Sequence, residues 1–337
     1  MLIRAKAPLR VSFAGGGTDV PPFPAMEGGA VLSTTIKSYA WGTLRPRPDR
    51  QIRIDSLDFG ISLEYSSHRD LVLDGQLDLA KAAIKQLIGP DSQGFDLFLH
   101  SDAPPGSGLG SSSAMIVTLV GLLQEFRRLS LTDYQIAELA CTIERVDLAI
   151  QGGLQDQYAA AFGGFNYIEF LADRVIVNGL KVHPDTLNEL EYNLLLVHTG
   201  KLRLSSNIIA DQVARYERQD VDTMAALREL KHLAVEMKSA ILSGHLDELG
   251  GLLHEEWQQK KRMSPKISST ELDDLYSIAR SHGATGGKIT GAGGGGFMLL
   301  YCPFDRKHLI REAMRTAGCE IHEIALEPLG LQTWRVP

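Results

Sequence analysis

Over its first sixty residues the chain alternates apolar and polar positions in runs broken by Gly and Pro: LIRAKAP, LRVSFAG, GAVLSTTIKSYAWGTLRP and QIRIDSLD. A period of two marks strands with one face buried, so paired strands are predicted here. The period then changes. DLAKAAIKQLI, AMIVTLVGLLQEFRRL and TDYQIAELACTIERVDLAI carry apolar residues three and four apart, which predicts helices, and Thr132 followed by Gln135 is a capping-box signal. GFDLFLH, GGFNYIEF and EYNLLLVHTG read as further strands, with a loop around VHPDTLNEL. Helical patterning returns from about Ser205 to Gly283, and the chain closes with strand GGFMLLYC, helix DRKHLIREAMRTAG and strand EIHEIALEP. Strands clustered before helices predict an α+β fold, divided into residues 1–187 and 188–337.

Composition narrows the function classes. With 337 residues, 44% of them hydrophobic and 22% charged, the chain is long enough for two cores. Its 34 basic and 41 acidic residues give a net charge of -7, against any role as a generally basic protein coating nucleic acid or an anionic membrane. Cys141, Cys302 and Cys319 are far apart and in no metal-ligand spacing, so neither a disulfide framework nor a zinc site is supported. The start MLIRAKAPLRVSF lacks a signal-peptide apolar run, and no later stretch approaches the roughly 18 apolar residues of a membrane span. A cytoplasmic location is expected.

Three separated glycine-rich segments carry the candidate chemistry: FAGGGTD (13–19), PPGSGLGSSSA (104–114) and KITGAGGGGF (288–297). The middle one lies between a predicted strand and a predicted helix. Free backbone N–H groups and the helix dipole make such a junction an anion site. It has no lysine and is not a Walker A loop, so backbone and serine hydroxyls must cradle the anion. The last segment matches a dinucleotide pattern at Gly291, Gly293 and Gly296, but a strand follows where that pattern needs a helix. A Rossmann site is rejected. None of the ten histidines sits in an HExxH motif, and there is no GxSxG, which weakens zinc-enzyme and hydrolase readings.

Two carboxylates flank a Gly-Gly break: Glu144 on an amphipathic helix and Asp156 at the start of a second helix. Together they suit a divalent cation and a substrate hydroxyl, although acidic residues on helices are more often solvated surface. Arg10 alternates with Leu9 and Val11; it either turns inward to a carboxylate such as Asp156 or lies exposed on an edge strand.

The three segments, in this order and with the Glu144 to Asp156 spacing, resemble the GHMP (galactokinase, homoserine kinase, mevalonate kinase, phosphomevalonate kinase) superfamily of small-molecule kinases. Within it, APLRVSFAGGGTDVPPF, GLQDQYAAAFGGFNYIEF, VHTGKLRLSS and GGKITGAGGGGF look most like the D-glycero-D-manno-heptose 7-phosphate 1-kinases. The resemblance implies an N-terminal ATP-binding domain like ribosomal protein S5 domain 2 and a ferredoxin-like C-terminal domain, with the site between them. It implies that Gly106, Ser107, Gly108, Leu109, Gly110, Ser111, Ser112 and Ser113 wrap the phosphates of ATP, and that Ser112, or Ser113 one position on, joins Glu144 in holding Mg²⁺. Asp156 then meets the acceptor hydroxyl with Arg10 as its basic partner, while Gly16, Gly17, Thr18, Asp19 and Gly293 face the sugar.

A sugar phosphate needs cationic donors, and Lys201, Arg203, Ser205 and Ser206 stand where a predicted strand runs into a helix. Arg203 is the expected phosphate ligand. Lys260, Lys261, Arg262 and Lys266 in QQKKRMSPK read instead as a solvated helix face. Lys37 stands where related heptose kinases are expected to carry an acidic residue, and Lys288 either reaches an anion or pairs at the surface. The expected reaction is ATP- and Mg²⁺-dependent phosphorylation of heptose 7-phosphate at the anomeric hydroxyl. The alternatives are an unphosphorylated-sugar kinase of the fucokinase or galactokinase type, or a non-catalytic sensor of ATP and sugar. Neither nucleic acid nor membrane is an expected partner, and a homodimer is the default assembly.

Overall fold

The computed structural model describes residues 1–201 and 205–337. Its strands are β1 (Leu2–Ala14), β2 (Gly29–Pro46), β3 (Ile52–Ser56), β4 (Ile61–Tyr65), β5 (Phe95–Ser101), β6 (Phe165–Phe170), β7 (Val175–Gly179), β8 (Leu194–His198), β9 (Gly286–Ile289), β10 (Phe297–Tyr301), β11 (Glu320–His322) and β12 (Gln332–Val336). The helices are α1 (Phe23–Glu27), α2 (Asp78–Leu87), α3 (Ser111–Arg127), α4 (Asp133–Cys141), α5 (Gln155–Phe162), α6 (Pro184–Asn193), α7 (Ser205–Glu217), α8 (Val221–Ser243), α9 (Leu246–Met263), α10 (Thr270–Ser281) and α11 (Lys307–Thr316).

The first sheet runs β12-β1-β2-β5-β3-β4, with β6 and β7 extending from β2. β2 is long enough to serve two neighbours: residues 29–34 pair with β6 and residues 40–46 with β5. Its register against β1 shifts between Pro8 and Leu9 and again between Ser12 and Ala14, leading into the first glycine segment. β3 and β5 pair in parallel, so the chain between them must cross over, and α2 lies in that crossover. α3 packs across β1 and β2, apolar nearly all round and buried from Ser113 through Leu123 apart from Met115. Each Leu, Ile or Val so buried contributes about 1.5–3 kcal/mol. Gly42 lies beneath it because a Cβ there would stand 2.4 Å from Leu122 Cδ1.

The second sheet is antiparallel, in the order β11-β8-β10-β9. Helices α7 to α10 lie between β8 and β9, and α11 between β10 and β11, which is the βαββαβ pattern of a ferredoxin-like layer. This is the expected α+β architecture. No helix among the described residues is long and apolar enough to cross a membrane.

Three expectations need correction. VHPDTLNEL is not a loop: His183 caps Asp185 N–H, Pro184 occupies the first helical position, and α6 follows. EIHEIALEP is not one strand: β11 covers only 320–322, and Leu326 makes an isolated antiparallel bridge to Ile36 of the first sheet. The chain end does not stay with the second sheet, because β12 pairs along β1 from Leu2↔Val336 to Lys6↔Gln332. A boundary at 187–188 therefore cuts α6 and divides the sequence without dividing the sheets cleanly.

Candidate active site

The three glycine segments meet. Arg10 N–H donates to Leu109 C=O at 3.0 Å and Phe297 N–H to Ser107 C=O at 3.0 Å, stitching β1 and β10 to the middle loop. Gly108 and Gly291 are in such close backbone contact that a Cβ on Gly291 would stand 2.8 Å from Gly108 Cα. A single cleft results, lined by Arg10, Gly16, Gly17 and Asp19 on one flank, by Gly106, Gly108 and Gly110 to Ser113 on another, and by Thr290 to Gly293 behind.

Gly110 precedes α3 in the left-handed region, at φ +76°, and no side chain caps the first turn. Ala114 N–H is bonded back to Gly110 C=O, so the preceding N–H groups face the cleft mouth with the helix dipole behind them. Glu144 lies beneath. It sits not in regular α-helix, as expected, but in a π-helical stretch, Thr142–Asp147, continuing α4. Only 2% exposed, it accepts from Ser112 Oγ (3.0 Å), Ser113 Oγ (2.8 Å) and Gln157 Nε2 (2.6 Å), with Arg145 at 3.5 Å. Ser112 is exposed to the cleft whereas Ser113 is buried.

Arg10 is 4% exposed on an interior strand; its Nε and Nη2 both reach Asp156 Oδ1 at 2.7 Å, and Nη1 donates to Gly108 C=O at 2.6 Å. The inward alternative holds. A Cβ on Gly110 would stand 3.3 Å from the other oxygen, Asp156 Oδ2, which puts this carboxylate beside the start of α3.

Asp19 is nearly inaccessible and accepts from Gln155 N–H at 3.0 Å, Gln155 Nε2 at 3.2 Å and Gly17 N–H at 3.0 Å. It therefore caps α5 from a distant part of the sequence and orients the helix that carries Asp156. Gly153 admits this contact, since a Cβ there would lie 2.0 Å from Asp19 Oδ2.

Several anticipated residues stand elsewhere. Thr18 is fully buried, its hydroxyl donating to Gly15 and Ala30 carbonyls and accepting from Ala30 N–H, so its side chain holds the loop and does not line the cleft. Ser107 and Leu109 are buried behind the loop and support it. Lys288 does not pair at the surface; it is 1% exposed and reaches the buried carboxylate of Glu256 at Oε1 (2.7 Å) and Phe13 C=O (3.1 Å). Lys201 is exposed, its C=O accepting from Gly296 N–H at 2.6 Å, and Ser206 is half-buried at the start of α7; Arg203 lies outside the described residues.

Other features were not anticipated. Lys260, read as solvated, is 3% exposed and lines the cleft, and Gln212 from α7 joins it, donating to Gly17 C=O at 2.9 Å. An apolar cavity adjoins the phosphate-facing end, lined among others by Phe59, Leu77, Met115, Leu119 and Leu148, and shares Ile150 with the cleft. The signal for it is SLDFGIS, two large apolar residues in a turn, where Leu57 and Phe59 stay exposed. Burial pushes the Cys141 and Cys302 thiols up to about 12, so neither suits nucleophilic work.

Residues 78–164 match the model of the GHMP kinases N terminal domain, and residues 237–319 that of the GHMP kinases C terminal region. The chain belongs to the GHMP kinases. It is 37% identical to the D-glycero-alpha-D-manno-heptose 7-phosphate kinase of Campylobacter jejuni over 99% of both chains. Among solved structures it is similar to a D-glycero-D-manno-heptose 1-phosphate kinase from Bacteriodes thetaiotaomicron (TM-score 0.84, 33% identity, 99% of each chain). The galactokinase of Lactococcus lactis shares the fold (TM-score 0.79, 20% identity, 98% of this chain and 95% of that one). As a GHMP kinase, this protein is an ATP-dependent phosphotransferase.

Proposed function

We propose that the protein phosphorylates the anomeric hydroxyl of D-glycero-D-manno-heptose 7-phosphate, giving the 1,7-bisphosphate. The observation that carries this reading is the Arg10–Asp156 pair set beside the start of α3, a carboxylate next to an anion-binding helix terminus. The full-length likeness to a heptose 7-phosphate kinase supports the choice of sugar.

Phosphoryl transfer has a loose transition state, so positioning and charge neutralisation dominate. The N–H groups of Ser111 to Ser113 hold the donor phosphates, and the apolar cavity beside Ile150 suits the base. Glu144 and Ser112 fit a hard cation, because one carboxylate and one hydroxyl leave most positions to phosphate oxygens and water. Ser112, exposed where Ser113 is not, is the better placed hydroxyl. Bound there, Mg²⁺ would neutralise charge on the transferring phosphoryl group. Arg10 fixes Asp156, which takes the proton as the sugar oxygen bonds to the γ-phosphorus and ADP leaves. Residues 201–206 follow β8 in sequence; Lys201 C=O accepts from Gly296 N–H of the third glycine segment, Ile209 and Gln212 of α7 line the cleft, and Lys201, Arg203, Ser205 and Ser206 are assigned to the 7-phosphate.

Phosphorus NMR of the protein with Mg·ATP tests this against heptose 7-phosphate, mannose 6-phosphate, fucose and galactose. A new anomeric phosphate with the heptose 7-phosphate alone is the expected result. Product only from unphosphorylated sugars would remove the substrate assignment, and no product from any would remove the acceptor reading. Arg203→Ala should raise KM for the phosphorylated sugar and leave that for ATP unchanged.

A further inference from the structure

Helix α9 sends two buried charged side chains, one turn apart, against the first glycine segment: Glu256 and Lys260. Their surroundings differ. Glu256 is fully partnered, with Lys288 Nζ on one oxygen at 2.7 Å and Gly15 N–H on the other at 3.4 Å. Among the described residues Lys260 Nζ has a single long contact, 3.5 Å to Gly16 C=O, although an ammonium has three protons to place. Two further buried atoms near Gly16, Ser12 Oγ and Gln155 Oε1, have no hydrogen-bond partner among the described residues. Burial of a long cation with so little to bind is costly, and an apolar side chain there would be more stable.

Gly16, Gln155 and Lys260 line the cleft together with Asp19. We propose that Lys260 is an acceptor-binding residue: as the ammonium it donates to ring hydroxyl oxygens of the bound sugar beside the reacting one, while Gln155 Oε1 accepts from such a hydroxyl. This rests on the sugar-kinase reading and adds to it a cation supplied by the second sheet's layer of helices. Polyol oxygens complete the donors and acceptors that the protein leaves unpaired, so a ligand lacking them is rejected by the cost of keeping those groups dry.

The charged groups facing Lys260 are Lys288 from β9, Glu256 from α9 itself, Asp19 from the loop after β1, and Arg10 from β1. Desolvation first, and the Lys288 charge second, pull its pKa down to about 7. At pH 8 the free protein then holds it mostly neutral, and acceptor binding draws a proton onto it.

The test compares Lys260→Met with the wild-type protein, using whichever sugar the wild type phosphorylates, so that a wrong heptose assignment changes the ligand and not the expected ratio. KM for the acceptor should rise about tenfold or more while KM for ATP stays within about twofold. Calorimetric titration with acceptor at pH 8, in two buffers of different ionisation heat, should show close to one proton fewer taken up by the variant. The variant should also melt higher. Equal changes in both KM values, equal proton uptake, or a lower melting temperature with unchanged acceptor KM would overturn the proposal.

Discussion

The donor half of the cleft is a closed network, and the acceptor half is an open one. Around the phosphate loop the charged groups already have partners: Glu144 with two serines and Gln157, Arg10 with Asp156 and Gly108. Around Gly16, among the described residues, lie a lysine with one long contact and two unpartnered buried oxygens. The donor half is built on the first sheet and its helices, with the third glycine segment packed behind the loop, whereas Gln212 and Lys260 reach the acceptor half from α7 and α9. The difference separates two tasks. Triphosphate is common to many kinases and is served by groups set before it arrives. On the proposed reading, discrimination among sugars falls to groups that only the right hydroxyl pattern completes.

The largest effect expected is on turnover. Asp156→Asn keeps a carbonyl oxygen for Arg10 but removes the proton acceptor, and kcat at saturating substrates should fall by about 10²–10⁴. Near-wild-type turnover would reduce the Arg10–Asp156 pair to a structural tie and dissolve the functional contrast between the two halves. Next is stability. Glu256→Gln strands the Lys288 charge in a site that is 1% exposed, and breaking such a pair costs about 3–5 kcal/mol, read by urea denaturation. The double variant Glu256→Gln with Lys288→Met should recover much of that loss; if it does not, the pair is more than mutual neutralisation.

A smaller effect separates the serines. Ser113 is buried against Glu144 Oε2, and Ser113→Ala should cost about 1 kcal/mol of stability. Ser112 faces the cleft, and Ser112→Ala should lower turnover roughly tenfold with an increased Mg²⁺ requirement while melting is unchanged. The reverse pattern, found by kinetics against Mg²⁺ concentration, would move the ligand by one residue.

The donor half was the more legible in sequence, and for a physical reason. A strand, a glycine-serine turn and an apolar helix are local features, so the anion site at 106–113 follows from neighbouring residues. Arg10 was open between inside and outside because alternation on β1 does not say what covers that edge: β12 pairs only with Leu2 to Lys6, and at Arg10 the edge is met by Leu109 C=O of the middle loop, about a hundred residues on. Lys260 was misread because KKR resembles a solvated face; Lys261 and Arg262 are more exposed, as that reading implies, and Lys260 alone points inward. Nothing local distinguishes them. Thr18 and Asp19 were placed at the sugar by resemblance; Thr18 instead holds its own turn, whereas Asp19 lines the cleft and also caps α5, a contact 136 residues apart in sequence.

The smallest effect reads the open half through stability alone, without substrate. Lys260 binds its proton with a pKa of about 7 in the folded protein, against an ordinary value of 10.5. Below pH 7 both folded and unfolded states carry the charge, so folding bears the whole cost of burying it. Between pH 7 and 10.5 the folded protein has released the proton and the unfolded chain still holds it, so this group makes stability rise with pH. Lys260→Met removes the titration. Its melting advantage over the wild type, roughly a few degrees near pH 6, should therefore shrink steadily toward pH 10 when followed by circular dichroism. A constant difference across that range would mean that Lys260 stays charged in the folded state, with a partner already in place, and the acceptor half would then be as closed as the donor half.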